Sequence, residues 1–351
     1  MGDSKLPLLD PPPGRASAGF FAGLVLNGRY RLESLLGEGG MGTVWVGSQL
    51  ALQRRVAVKS LRVGASTHRA RLKREALALA AVHHPSIVEV YDYGETEGGV
   101  PYVVMELVRG ESLAARLDRE GALPAEEAVR LSLSILDGLV AAHHAGVIHR
   151  DIKPDNVVLA EGRSGLRPVL LDFGIARLDS DADARLTLDG SFIGTPAYMA
   201  PEQMRGGPTD ERVDVWGVGA LLYHLLAGEP PFGTREVIAV MRKVLEDPPS
   251  FPRRARGLDG RLWSILTAAL RKLPDERTPS ALALRDALAT WLDARKITSA
   301  HGFEPVSTRS SVPAASLEPT LLAGPVSGVA QSSRDEAPPS FDVLIRAKLG
   351  G

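Results

Sequence analysis

The sequence predicts an α+β fold in two lobes, with strands first and helices after. Three observations carry that expectation. Between Tyr30 and Leu107 apolar residues recur at period two and are largely β-branched or aromatic: Tyr30 and Leu32, Val44 and Val46, Val56 and Val58. That is the repeat of strands with one face buried. Beyond Pro124 the repeat changes to helical spacing, with Val129, Leu133, Leu136 and Val140 on one stripe. The length, 351 residues, exceeds one ordinary small domain and suits two lobes or two domains plus tails.

Composition narrows the function classes. A content of 44% hydrophobic and 24% charged residues is that of a soluble globular protein. A formal net charge of −1 gives no basis for electrostatic capture of nucleic acid or anionic membrane. The absence of cysteine excludes a disulfide framework, a thiolate zinc site and a cysteine nucleophile, and fits a reducing, cytoplasmic location. No secretory signal is expected, since the first ten residues hold one Lys and no apolar core follows. The longest apolar run, around Leu221 to Ala227, is broken by Tyr223 and His224, so no membrane span is expected.

Residues 1–27 open with Pro11-Pro12-Pro13 and small residues, and are expected to be a disordered lead-in. Gly37-Glu38-Gly39-Gly40-Met41-Gly42-Thr43-Val44 then reads Gly-x-Gly-x-x-Gly-x-Val. In a dinucleotide-binding fold those glycines would open a helix. Here Thr43, Val44, Trp45 and Val46 follow at once, so the turn joins two strands. It is either an ordinary glycine-rich hairpin or a lid whose backbone N–H groups can approach phosphate oxygens. The next strand, Val56-Ala57-Val58-Lys59, decides for the lid. Period two places Ala57 and Lys59 on one face, and an inward lysine is costly unless an anion neutralises it.

Ser66 and Thr67 can start a helix carrying Leu72, Ala76, Leu79 and Val82, stopped by His83-His84-Pro85. Glu75 adjoins that apolar face. Its partner is either Lys59 across the lobe or Arg71 one turn away. The vicinal pairs His83-His84 and His143-His144 have no further ligand at metal spacing. Strands follow at Ile87–Tyr91 and Tyr102–Leu107, and Arg109-Gly110-Glu111 breaks the pattern where a hinge between lobes is expected.

Pro124 begins a long helix that ends at Gly146 and delivers the chain into His149-Arg150-Asp151-Ile152-Lys153-Pro154-Asp155-Asn156. Pro154 removes an N–H and pushes Lys153 towards extended geometry, so these polar groups sit on a rigid loop. Strands at Val157-Val158-Leu159 and Val169-Leu170-Leu171 follow, the second ending in Asp172-Phe173-Gly174. An acidic residue at the end of an apolar strand can share a hard cation with Asn156. Further on come Gly194 to Glu202, an apolar helix opening at Asp214, and helices over Leu262 to Leu270 and Ser280 to Lys296. From Ser299 the composition turns to Ser, Pro, Ala and Gly, a disordered tail. Ser340 to Ile345 within it reads as a short docking element or as residual apolar character.

These motifs, in this order, resemble the eukaryotic-type (Hanks-type) Ser/Thr protein kinases, bacterial members among them, over residues 28–296. The resemblance implies the two-lobed protein kinase fold, with a small β-rich lobe of one helix (about 28–106), a larger helical lobe (about 109–296) and ATP in the cleft. A lead-in (1–27) and a tail (297–351) flank it. It implies that Gly37, Glu38, Gly39, Gly40, Met41 and Gly42 form the lid, with Val44 and Ala57 beneath it. Lys59, paired with Glu75, would hold the α- and β-phosphates. Glu106 C=O and Val108 N–H would face the adenine, with Met105 behind. Asp151 would orient the substrate hydroxyl and take its proton, Lys153 would contact the γ-phosphate, and Asn156 and Asp172 would bind Mg²⁺, with Mn²⁺ as the alternative. Glu202 is expected to pair with Arg277, and Asp214 to accept hydrogen bonds from the catalytic-loop backbone. The partners implied are proteins presenting Ser or Thr, and a second copy for trans-autophosphorylation. Thr187 is the first candidate phosphosite and Ser191 the second, with Arg150 as the cation that a loop phosphate would meet. Thr195 is expected to face the catalytic loop. A binding scaffold of the same fold would be expected to lack Lys59, Asp151 or Asp172, and a small-molecule phosphotransferase would be expected to lack the segment Gly194 to Glu202.

Overall fold

A computed structural model describes residues 19–39, 42–61, 66–162, 165–173, 196–234, 236–253 and 255–300. The N-terminal part is a six-stranded antiparallel sheet. Its strands are β1 (Val25–Leu26), β2 (Tyr30–Gly39), β3 (Gly42–Gln49), β4 (Arg54–Ser60), β5 (Val90–Glu95) and β6 (Pro101–Glu106), in the order β1-β2-β3-β4-β6-β5. Helix α1 (Ser66–Ala80) crosses between β4 and β5. The sheet buries both faces, and the period-two alternation sorts its residues between them. Ala57 joins the main core with Leu72, Ala76, Leu79 and Val82, whereas Val56 and Val58 pack on the outer face with Tyr30, Leu32, Trp45 and Tyr102.

The outer core corrects the expected lead-in. Phe20 is buried there, Gly23 N–H donates to Leu32 C=O, and β1 pairs with β2. The ordered part therefore begins before residue 28, because Phe20, the first of two adjacent aromatics, has an apolar face to cover. That burial stabilises by about 1.5–3 kcal/mol. The strand expected from Ile87 is also corrected. It starts at Val90, and Ile87 instead bridges to Leu170 of the other lobe, which ties the lobes together beneath the hinge.

Past the hinge come β7 (Gly110–Ser112), α2 (Leu113–Glu120) and α3 (Ala125–His144), then β8 (Val157–Gly162) and β9 (Gly165–Leu170) in a three-stranded antiparallel sheet with β7. Four more helices follow the short α4 (Pro201–Met204): α5 (Arg212–Ala227), α6 (Val237–Glu246), α7 (Gly260–Ala269) and α8 (Ala281–Ala300). Helix α2, which the sequence reading left out, is started by Ser112, whose Oγ accepts the Ala115 N–H at 3.1 Å. Helix α5 is apolar all round and buried all round, as such a helix must be. Helix α8 runs four residues beyond Lys296. Residues 301–351, and with them the expected docking element, lie outside the described residues, as do Gly174, Thr187, Ser191, Gly194 and Thr195. No helix among the described residues is long and apolar enough to cross a membrane.

Candidate active site

A cleft opens between the lobes. The β2–β3 hairpin contributes Leu36, Gly37 and Val44, β4 contributes Ala57, and Met105 to Val108 form its back. Val158, Leu171 and Asp172 line it from β8 and the exit of β9. Of the residues the sequence singled out, Gly37, Val44, Ala57, Glu106, Val108 and Asp172 thus meet in one place. Glu38 and Gly39 end β2, whose last pair, Gly39 with Gly42, closes the hairpin. Gly40 and Met41 lie outside the described residues.

Lys59 points into this cleft, but its partner differs from the expected one. Its Nζ lies 3.0 Å from Asp172 Oδ1, and Glu75 Oε1 lies 3.6 Å from an Arg150 guanidinium nitrogen. Two cations and two carboxylates share this region, so the pairing is an exchange. Asp172, turned towards the lysine by a left-handed backbone (φ 53°), takes the place expected for Glu75.

The loop after α3 is built from the bottom up. Lys153 is extended (φ −159°, ψ 163°), and Pro154 opens a single 3-10 turn over Pro154–Asn156, as the pre-proline restriction predicts. That turn buries Asn156, whose Nδ2 donates to the Asp151 carbonyl at 2.8 Å and to Asp151 Oδ2 at 2.9 Å. Lys153 Nζ stands 3.5 Å from the same carboxylate oxygen. With both amide hydrogens committed to Asp151, the Asn156 oxygen remains an acceptor, available to a hard cation beside the Asp172 carboxylate. No group of three or more His, Cys, Asp or Glu side chains that could hold a metal ion is present among the described residues.

Beneath the loop sits Asp214, 1% exposed at the start of α5. Its Oδ2 accepts the His149 N–H at 2.8 Å and lies 2.8 Å from His143 Nε2, while its Oδ1 accepts the Arg150 N–H at 2.8 Å. These bonds hold Arg150 at φ 63°, a left-handed conformation that residues other than glycine rarely adopt. His149 is fully buried. Its Nδ1 accepts the Asp151 N–H at 3.3 Å, so Nε2 carries the proton and donates to the Leu171 carbonyl at 2.9 Å. Burial pushes its pKa below the usual histidine value, although Asp214 and Asp151 pull it the other way. The neutral ring packs at 4.5 Å on Phe173. One imidazole thereby fastens the loop bearing Asp151 to the strand end bearing Asp172.

The segment from Pro196 is fixed to the same loop. Gln203 Nε2 donates to the Arg150 carbonyl at 3.0 Å. Arg277 forms a two-pronged pair with Glu202, at 2.7 and 2.9 Å, as expected. Tyr198 Oη meets His224 Nδ1 at 2.5 Å; burial raises the tyrosine pKa, with Asp155 and Asp118 adding to it. Sequence reasoning missed Gln203, His143 and His224. A vicinal histidine pair signals a metal more readily than a carboxylate partner some seventy residues away.

The family follows from the whole chain. A family model described as "Protein kinase domain" matches residues 30–286. The chain belongs to the protein kinase family. Among curated proteins the kinase domain is similar to "Serine/threonine-protein kinase pkn3" of Myxococcus xanthus, 38% identical over 290 residues, covering 80% of this chain and 53% of that protein. It is also similar to "Serine/threonine-protein kinase PknB" of Mycobacterium tuberculosis, 39% identical over 267 residues, covering 74% of this chain and 42% of that protein. The chain spans about half the length of the curated relatives it matches.

Proposed function

We propose that this chain is an ATP-dependent protein kinase that transfers the γ-phosphoryl group to Ser or Thr hydroxyls of proteins. The observation that carries the reading is the Asp151 carboxylate held between Asn156 Nδ2 and Lys153 Nζ, on a loop bonded through His149 to the strand end bearing Asp172. Phosphoryl transfer needs positioned groups and neutralised charge more than covalent chemistry. Asp151 aims the incoming hydroxyl and accepts its proton. Lys153 offsets charge on the transferring oxygens, and Lys59 does so deeper in the cleft. Asn156 and Asp172 supply hard oxygen donors that fit Mg²⁺ or Mn²⁺, which would shield the phosphate charge. The Glu106 carbonyl and Val108 N–H offer the adenine an edge of backbone at the back of the cleft. Glu202, tied to Arg277 and followed by Gln203 bonded to the catalytic loop, supports a platform for a peptide rather than a small molecule.

Activation fits an exchange of ion pairs. A phosphate on Thr187 or Ser191 would compete with Glu75 for Arg150, and Glu75 would then be available to Lys59. Trans-phosphorylation between two copies supplies the first phosphate, in a cytoplasmic setting where protein substrates and ATP meet.

Incubation with radiolabelled ATP and Mg²⁺ or Mn²⁺, beside Asp151→Asn, tests this directly, with labelled sites mapped by mass spectrometry. Label on Thr187 or Ser191 in the wild type alone is the expected result. No label on itself or on a generic acceptor protein, despite measurable ATP binding, would contradict it.

A further inference from the structure

We propose that Ser60 and Thr43 are positioning residues for the glycine lid, gripping it from the side of the sheet that faces away from the cleft. The inference rests on the reading of that cleft as an ATP site. Gly42, the last glycine of the lid, has φ 139°, and a Cβ there would lie 2.0 Å from the Ser60 carbonyl oxygen. The lid backbone therefore rests directly on Ser60, the residue after Lys59.

Hydroxyl groups secure that contact. Thr43 N–H donates to Ser60 Oγ at 2.9 Å, the two hydroxyl oxygens are 2.8 Å apart, and Trp45 Nε1 donates to Thr43 Oγ1 at 3.0 Å. Ser60 Oγ also lies 3.3 Å from the Thr43 carbonyl. One proton assignment satisfies every group. The indole gives to Thr43 Oγ1, Thr43 Oγ1 gives to Ser60 Oγ, and Ser60 Oγ gives to the Thr43 carbonyl. Thr43 and Ser60 are 2% and 4% exposed, so water does not compete for these bonds, and leaving one unmade is costly.

The alternation of the strands sets the role. Val44 lines the cleft, which puts Thr43 and Trp45 on the opposite face, where Trp45 packs in the outer core. Ser60 is likewise opposite to Lys59. Neither hydroxyl can reach a nucleotide. What they hold is the spacing between the lid and the strand that carries Lys59, the two parts expected to contact phosphates.

The full-length protein, Ser60→Ala and Thr43→Val are titrated calorimetrically with MgATP and separately with adenosine, which lacks phosphates. Losing one such bond should weaken MgATP about three- to tenfold, with adenosine changed by less than about twofold and Thr43→Ser near wild type. Equal weakening of both ligands would mean general loosening of the small lobe and would overturn the proposal, as would unchanged MgATP affinity in both variants. A wild type that binds no MgATP would overturn the reading of the cleft as well. The two variants break the same contact from opposite sides, so a folding failure in one leaves the other decisive.

Discussion

Replacing Asp214 by Asn tests whether the catalytic loop is held from below. The carboxylate is buried and accepts the His149 and Arg150 N–H groups on different oxygens, with His143 as a third neighbour. An amide has one acceptor oxygen, so its NH₂ must face at least one of those backbone donors. Charge-assisted hydrogen bonds contribute about 1.5–3 kcal/mol each and neutral ones about half that, while a buried donor left unmatched costs about 1–3 kcal/mol. The expected loss is therefore about 3–5 kcal/mol of folding stability, read by urea unfolding. Activity should suffer independently. Arg150 at φ 63° is a strained position worth about 1–2 kcal/mol, and without its anchor it relaxes and carries Asp151 away. A displacement of about 1 Å at the reacting groups can cost on the order of 100-fold in kcat. MgATP affinity, set by the cleft above, should change little. A kcat within about threefold of wild type, or MgATP binding lost in step with kcat, would refute the reasoning.

Three further outcomes follow from the same geometry. Arg277→Ala leaves Glu202 buried without its partner and should lower stability by about 3–5 kcal/mol; adding Glu202→Met should recover much of it, and a single-variant loss below about 1 kcal/mol would show the pair to be ornamental. Gly42→Ala forces a Cβ onto the Ser60 carbonyl at 2.0 Å and should destabilise by about 1–3 kcal/mol through overpacking, seen as a lower unfolding midpoint with MgATP binding impaired; an unchanged midpoint would contradict it. His149 has its folded pKa lowered by burial, so below about pH 6.5 the unfolded chain binds a proton that the folded chain resists. Stability should then fall with decreasing pH by up to about 1.4 kcal/mol per unit until the lowered folded value is reached, and His149→Gln should flatten that slope. Parallel slopes for the two proteins would count against the neutral ring.

Much of the fold could be read because local chemistry and tertiary placement agree. Period two put Ala57 and Val58 on opposite faces, and both faces are buried in just that division. The 3.6 repeat found α1 and α3, a continuous apolar run found α5, and Pro154 marked the loop that carries Asp151 and Asn156. Contacts of high sequence separation were harder. Glu202 with Arg277 and Asp214 with the loop came through resemblance, not periodicity. The partners of Lys59 and Glu75 could not be read at all, because charge alone does not choose between two carboxylates and two cations at similar range. Phe20 escaped because two adjacent aromatics beyond a proline run have no repeat to announce which is buried, and α2 because eight residues give too short a stripe.

The division of the small lobe into an outer and an inner hydrophobic layer bears on how the protein could be cut or evolve. The outer layer, from Phe20 to Val104, is formed by the small lobe alone. The inner one is continuous from Ala57 through Ile87 and Val169 to Trp291 and Leu292, so a fragment ending at the hinge would expose its inner apolar face to water. The two lobes are thus separate in shape but joined by one hydrophobic core. Any rotation that widens the cleft must work against this shared core, which favours small rotations over wide gaping.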